Sequence, residues 1–338
     1  MHDAVKEKLV RAHEAVKEHG AIHIAAKKTG TPFTTMRKHY SEALALLGLP
    51  DVRHHPKSLA HTPLMEAPQS PKSELISHLP PIQDATAIAF SDCHWTSLVQ
   101  PLSLAHEALL IMARYIKPDY LFCVGDALDM GATSRHAPVM WSDVSKPKVK
   151  DELAAGQTHL RELREAAGNP ACYWIRGNHD DRFDKYLAAH AAAFEGMGAF
   201  TLADWFPDWQ MCWRLDVGDN VSFVHRFHNG VHAGYNNAMK SARTVISGDT
   251  HVLEVKPWNN WTRRLWGVQC GMIGDPAWPC FNYRLAQPGQ QQPGFIVLTW
   301  KDGELMTPEP CEVINGAAWF RGEPVAGRVR VKAGRATA

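Results

Sequence analysis

Short apolar or β-branched runs in this chain repeatedly end in polar clusters. They are Asp92-Cys93-His94, Gly125-Asp126 with Asp129, Gly177-Asn178-His179-Asp180, His225, and Gly248-Asp249-Thr250-His251. That order confines the polar groups to loops at the strand ends of a sheet. The run Ala85 to Phe90 predicts a buried strand ending at Ser91-Asp92, and Leu104 to Tyr115 a helix. Tyr120 to Val124 predicts the next strand, Val149 to Ala167 a helix, and Ala171 to Ile175 a strand ending at Arg176-Gly177-Asn178. Open α/β sheets place their ligands at such carboxyl ends. After residue 210 the texture turns to strands, at Val221 to Val224, Thr244 to Ile246, Leu265 to Gln269 and Phe295 to Thr299. The expectation is a layered α/β sandwich with mixed sheets.

A chain of 338 residues leaves room for one catalytic domain and a smaller module. With 36 Lys and Arg against 35 Asp and Glu, no global charge demands nucleic acid, membrane or an acidic partner. No apolar run is long enough to span a bilayer, and Met1-His2-Asp3-Ala4 lacks the plan of a secretory signal. A cytoplasmic setting is expected. Cys93, Cys123, Cys172, Cys212, Cys270, Cys280 and Cys311 are odd in number and widely spaced, which argues against a disulfide framework and for buried thiols. Cys93 should point into the core, because side chains alternate along an extended end and Asp92 and His94 then point together.

Residues 1–50 read as a three-helix module. Val5, Leu9, Ala12 and Val16 fall at helical spacing, Gly20 stops the first helix, and Ile22 to Lys28 forms a second. After the Thr29-Gly30-Thr31-Pro32 turn, Thr34 or Thr35 can cap a third helix through Met36, Tyr40, Ala43 and Leu46. Two small alanines at a close crossing, then a polar helix bearing Arg37 and Lys38, resemble a helix-turn-helix DNA-binding module. The basic excess is modest: Lys6, Lys8, Arg11, Lys17, Lys27, Lys28, Arg37 and Lys38 against Asp3, Glu7, Glu14, Glu18 and Glu42. A packing or dimerisation module is the alternative. Pro56, Pro63, Pro68, Pro71, Pro80 and Pro81 mark residues 51–84 as a semi-extended linker, and Arg328, Arg330, Lys332 and Arg335 mark 321–338 as a basic tail.

Carboxylate, imidazole and amide groups gathered at strand ends are the donors that hold divalent cations. Four carboxylates in one place repel one another without them. Histidines taken one by one scatter near acids by chance, but the joint, ordered pattern does not. Mixed N and O donors suit Mn²⁺, Fe²⁺ or Zn²⁺ better than an all-oxygen Mg²⁺ site. Two such ions about 3.5–4 Å apart would bind a hydroxide between them and align a phosphate for attack.

The ordered set Asp-x-His, Gly-Asp-x-x-Asp, Gly-Asn-His-Asp, a lone His after a strand and Gly-x-Thr-His resembles the calcineurin-like metallophosphoesterase superfamily across residues 85–320. The resemblance implies a four-layer αββα sandwich and two divalent ions, with Mn²⁺ ahead of Fe²⁺ or Zn²⁺. It implies that Asp92, His94 and His251 bind the first ion, that Asp126 bridges, and that Asn178 and His225 bind the second. It places His179 beside the leaving group, Asp180 behind that histidine, and Asp129 behind the cluster. The helical head and the Thr133-Ser134-Arg135-His136 segment add a softer likeness to phage and prophage phosphoesterases, which would act in a bacterial host's cytoplasm. One position departs from the family pattern Gly-His-x-His: Asp249 stands where an imidazole would bind the second ion. It is read as an anionic ligand, the alternatives being a weak or absent second ion or an inactivating change. His228 and His232 are loop histidines near enough in sequence to compensate.

Arg135, Arg176 and Arg226, with His136, adjoin the metal-bearing loops and are candidates for phosphate contact or for pairing with the carboxylates. The segment from Gly131 to Lys150, with Trp141, Lys146 and Lys148, is an insertion that can cover the cleft. Of Trp205, Trp209, Trp213, Trp258, Trp261 and Trp266, most should be core and an exposed one can stack on a base. The reading is a binuclear metal-dependent phosphoesterase, a phosphodiesterase or nuclease acting on DNA or nucleotides. The alternatives are a DNA- or protein-binding factor with a degenerate phosphoesterase domain, and a small-molecule phosphomonoesterase. An oligomer is compatible with either.

Overall fold

The computed structural model describes residues 3–19, 22–50, 74–97, 100–135, 147–259, 261–284 and 291–328. The chain divides into two compact units, Met1–Glu66 and Ala67–Ala338. His136, Trp141, Lys146, Arg330, Lys332 and Arg335 lie outside the described residues, as does the part of the expected linker from 51 to 73.

The first unit comprises α1 (Asp3–His19), α2 (Ile22–Thr29) and α3 (Phe33–Leu47). Leu9, Ala12 and Val16 recur every three to four residues, so one stripe of α1 is buried. Ala25 and Ala26 meet it with Met36 and Tyr40, the small side chains allowing close helix approach. Gly30 takes the left-handed conformation of the turn (φ 66°). The cap differs from expectation: α3 begins at Phe33 after Pro32, with no side-chain cap bond, so neither Thr34 nor Thr35 caps it. Proline's fixed φ organises the first turn instead.

The second unit runs β1 (Glu74–Leu79), β2 (Ala85–Phe90), α4 (Leu104–Ile116), β3 (Tyr120–Cys123), α5 (Val149–Ala167), β4 (Ala171–Ile175), α6 (Asp181–His190), α7 (Leu202–Trp205), β5 (Gln210–Val217), β6 (Val221–Val224), α8 (Ala233–Ser241), β7 (Thr244–Ser247), β8 (Leu253–Asn259), β9 (Arg264–Cys270), β10 (Gly294–Lys301), β11 (Glu304–Leu305), β12 (Glu309–Ile314), β13 (Ala317–Phe320) and β14 (Glu323–Gly327). Hydrogen bonding links them in the order β14-β13-β12-β10-β2-β3-β4-β5-β6-β7-β9-β8, with β1 on β5 and β11 on β10. The β2-β3-β4-β5 run is parallel, as are β6-β7 and β7-β9, whereas β10 meets β2 antiparallel.

Alternation along β2 explains why its sequence is apolar throughout. Ile88 and Phe90 face α4 and α5, while Ala87 and Ala89 face the opposite core. That second core proves the layering. Phe122 of β3 and Phe223 of β6 stack with ring centroids 4.2 Å apart. Three strand spacings separate them along the sheet, roughly 14 Å if it were flat. The continuous sheet therefore folds over on itself. Two β-layers face each other, α4 and α5 cover one outside, and α8 packs on β7, β8 and β9 on the other. The mixed α/β sandwich expected from the sequence is present, its two β-layers joined through β5.

Two expected boundaries are corrected. Glu74–Leu79, assigned to the linker, is a strand paired in parallel with β5 from Glu74↔Cys212 to Leu79↔Val217. Leu75 and Ile76 are exposed on this edge strand, so burial left no period-two signal among the prolines. Glu323–Gly327, assigned to the tail, pairs with β13. All seven cysteines are free, and Cys93 lies in the core beneath α4 and α5. Among the described residues no helix is long and apolar enough to cross a membrane.

Candidate metal centre

Five residues around the centre share an unusual backbone. Asp92, His94, Asp126, Asp249 and His251 all have φ between 47° and 67°. Asp and His tolerate this left-handed region better than most residues, yet strain gathered at one place needs neighbours that impose it. Here the loops tie one another down. Asp92 N–H donates to Gly125 O (3.0 Å), His94 N–H to Asp126 O (3.1 Å), Gly248 N–H to His225 O (3.0 Å) and Gly274 N–H to Asp92 O (3.0 Å). The glycines that open the motifs are explained by contact. A Cβ on Gly125 would collide with the His225 ring, on Gly177 with Asp126, and on Gly248 with Ser91 and Asp92.

The imidazoles are oriented from behind. His225 Nδ1 lies 2.7 Å from Val124 O, and His94 Nδ1 lies 3.1 Å from Asp129 Oδ1. His179 Nδ1 lies 2.9 Å from Asp129 O. Each Nδ1–H therefore has an acceptor, which turns the three Nε2 atoms toward the carboxylates, the arrangement that metal-ligating histidines use. His94 Nε2 is 3.8 Å from Asp92 Oδ1 and 3.9 Å from Asp126 Oδ2. His251 Nε2 is 3.2 Å from Asp92 Oδ1, and His225 Nε2 is 3.3 Å from Asp126 Oδ2. His179 Nε2 is 3.9 Å from Asp126 Oδ2.

Whether these residues fit divalent ions is tested by what their atoms lack. Asp92 Oδ1, His94 Nε2 and His225 Nε2 are buried without a hydrogen-bond partner. A buried polar atom left so costs about 1–3 kcal/mol, and more if charged. Three sets of donor atoms each converge closely enough to share an ion: Asp92, His94 and His251; His94, Asp126 and His179; Asp92, Asp126 and His225. Asp92, His94 and Asp126 each belong to two of these sets, so the three overlap in one cluster. The residues fit.

Electrostatics agree. Burial opposes ionisation of Asp92 and Asp126, but the facing imidazoles outweigh it and hold both carboxyls below the usual range. Burial likewise opposes the Asp129 charge, and its contacts with His179 and His94 overcome it. His94 is pushed down by burial and more strongly up by Asp129 and Asp92, reaching about 10. His225 reaches about 10 because Asp126 outweighs its burial. The cluster attracts positive charge.

Some residues do not sit as the sequence implied. Asp180 does not orient His179. Its Oδ2 accepts from Asp126 N–H (2.8 Å), Gly177 N–H (2.8 Å) and Trp174 Nε1 (2.9 Å), so it braces the loops beneath the centre. Burial and then the Asp126 charge raise its pKa. Arg176 is buried against Asp184 (2.6 Å) and Asp181 (3.5 Å), with Trp213 beneath its guanidinium, and is no phosphate contact. Asp249 belongs to none of the converging sets; its Oδ1 lies 2.5 Å from Arg226 Nη2. Arg135 and Asn178 are exposed, Asn178 in the same turn as His179. His228 is half-buried and His232 exposed. Trp209 and Trp266 are buried, Trp205, Trp213 and Trp258 half-buried, and Trp261 fully exposed.

Other contributors carried little sequence signal. Arg182 Nη2 lies 3.0 Å from His179 Nε2, and its Nη1 donates to Asp129 O (2.8 Å). Its place three residues after His179, at the start of α6, was the available hint. Ser91 Oγ lies 2.5 Å from Asp92 Oδ2. Phe281, contributed by a distant segment, meets the rings of His94 and His251 edge-on. No local pattern announces it.

A folded-over α/β sandwich with a carboxylate–imidazole cluster at its strand ends defines a metal-binding hydrolase class. Residues 85–253 match the family of calcineurin-like phosphoesterases, and the chain belongs to that family. Its members generally bind divalent metals and act on phosphate esters. No curated protein matches the chain. Among solved structures it is similar to an archaeal phosphodiesterase, at 14% identity and a TM-score of 0.33 over 68% of this chain and 99% of that one. It is also similar to the nuclease MPE of Pseudomonas putida, at 13% identity and a TM-score of 0.27 over 66% of this chain and 86% of that one.

Proposed function

We propose that this chain is a binuclear metal-dependent phosphodiesterase whose substrate is DNA or a nucleotide. The observation that carries the metal-dependent reading is that Asp92 Oδ1, His94 Nε2 and His225 Nε2 are buried facing one another around Asp126 without completing a hydrogen bond. Asp92, His94 and His251 would hold one ion, Asn178 and His225 the other, with Asp126 between. Bound there, divalent cations supply Lewis acidity and an activated water.

The chain's own residues do the rest. Asp129 holds His94 and His179 by their Nδ1 atoms, fixing both rings. His179 Nε2 then faces the centre at its open side, beside exposed Asn178, where it can hold or deliver a proton at a leaving oxygen. Arg182 Nη2 lies 3.0 Å from that nitrogen and helps to fix where the ring edge points. Asp180 keeps the Asp126 and Gly177 backbones in register.

Support for a nucleic-acid substrate comes from the first unit. On α3, Thr34, Arg37, Lys38 and Ser41 are exposed at positions three and four apart on one polar face, and Lys27 and Lys28 of α2 are exposed as well. The test is a panel of activated diesters, monoesters, duplex DNA and single-stranded DNA with Mn²⁺, run on the full chain and on an Arg37→Glu/Lys38→Glu variant. Diesters should outrun monoesters, and the variant should lose DNA affinity with its diester kcat unchanged. Monoester preference and unaltered DNA affinity would move the reading to a small-molecule phosphatase.

A further inference from the structure

The Asp249 carboxylate and the Arg226 guanidinium grip each other at one edge of the centre. Arg226 Nη2 lies 2.5 Å from Asp249 Oδ1, with 53% of the arginine side chain exposed against 8% of the aspartate's. The same Oδ1 lies 3.8 Å from His225 Nε2. Two donors sharing one ion at bonds of about 2.0–2.2 Å stand at most about 4 Å apart, so Asp249 is within reach of any ion held by His225. It belongs to none of the converging sets, and its carboxylate is paired with the arginine. A guanidinium fixed there also repels a dication at the His225 position. On the other side Asp92, His94 and His251 face one another directly.

We propose that the Arg226–Asp249 pair competes with the second metal ion. The chain then holds one ion tightly among Asp92, His94, Asp126 and His251. It admits the second, between Asp126, Asn178 and His225, only as Arg226 releases Asp249. The proposal rests on the two-ion reading above. Because the pair is partly solvated, the competition is modest, about tenfold in the affinity of the second ion.

Mn²⁺ alone is the probe, titrated into the chelator-stripped full chain and followed by electron paramagnetic resonance without substrate. The expected result is a first ion with an isolated-ion spectrum and a second, at least about tenfold weaker, that couples to it. Arg226→Ala, an exposed change that leaves the core intact, should tighten the second ion about tenfold and leave the first unchanged. Asp249→His should also tighten it, whereas Asp249→Asn should weaken it with or without Arg226. Two equally tight ions in the unaltered chain, or a second ion indifferent to Arg226→Ala, would overturn the proposal while leaving the two-ion reading intact. No Mn²⁺ binding at all would overturn both.

Discussion

The two sides of the centre are built differently. On the His251 side, every proposed ligand is buried and backed: Ser91 behind Asp92, Asp129 behind His94, and Phe281 against both histidine rings. On the His225 side, one ligand is equally fixed, with Nδ1 on Val124 O. Its neighbours are not, since Asn178 is exposed and Asp249 is tied to half-exposed Arg226. A closed, preorganised side favours tight metal binding, and an open side leaves room for a substrate and for exchange. Asp126 joins them, so damage there should fall on both.

The largest effect is therefore expected at the junction. Asp126→Ala should lower kcat on an activated phosphodiester by about 10³-fold or more, since it removes the shared carboxylate from both sites. A residual rate within tenfold of the parent would break the comparison. Next come single ligands: Asp92→Asn should weaken the tighter ion about 100-fold by calorimetry, whereas His225→Gln should leave that ion in place and affect the weaker one. Equal effects of the two changes on the same ion would make the sides equivalent.

Smaller effects separate orientation from support. Asp129→Asn should cost about 10–100-fold in kcat through loosened His94 and His179 rings, with little change in Tm. Asp180→Ala should instead destabilise the fold by about 3 kcal/mol, because three N–H donors lose their acceptor beneath the loops. The smallest effect concerns His106, which accepts from Trp95 Nε1 (3.2 Å) under the closed side. Burial, with a contribution from nearby His159, lowers His106 to about 3. The folded chain resists a proton that the unfolded chain takes up, so this contribution is complete above pH 6.5 and lost as pH falls toward 3. The limiting slope is about 1.4 kcal/mol per pH unit. His106→Gln should flatten that slope in chemical denaturation run from pH 7 to 5.

Much of the centre was legible because its determinants are local. A buried strand followed within a few residues by a candidate ligand is a local pattern that β2, β3, β4, β6 and β7 all carry, with a glycine between them after β3, β4 and β7. Sequence reading failed where a side chain's partner is far away in the chain. The family resemblance implies that Asp180 orients His179, yet its oxygens turn inward to Trp174 and the Asp126 loop. For Arg176 the sequence left phosphate contact or carboxylate pairing open, and its partners Asp184 and Asp181, from α6, decide for the pairing. The edge strand β1 escaped notice because it buries almost nothing, and an unburied strand leaves no alternation to read.

If these side chains assemble a metal-dependent phosphoester hydrolase, turnover must follow the metal. The most direct measurement is hydrolysis of bis(p-nitrophenyl) phosphate by chelator-stripped protein, before and after Mn²⁺ is restored. The expected result is no turnover when stripped, saturable recovery with Mn²⁺, and no recovery in Asp126→Ala. Turnover indifferent to chelation, or none with any divalent metal, would contradict it.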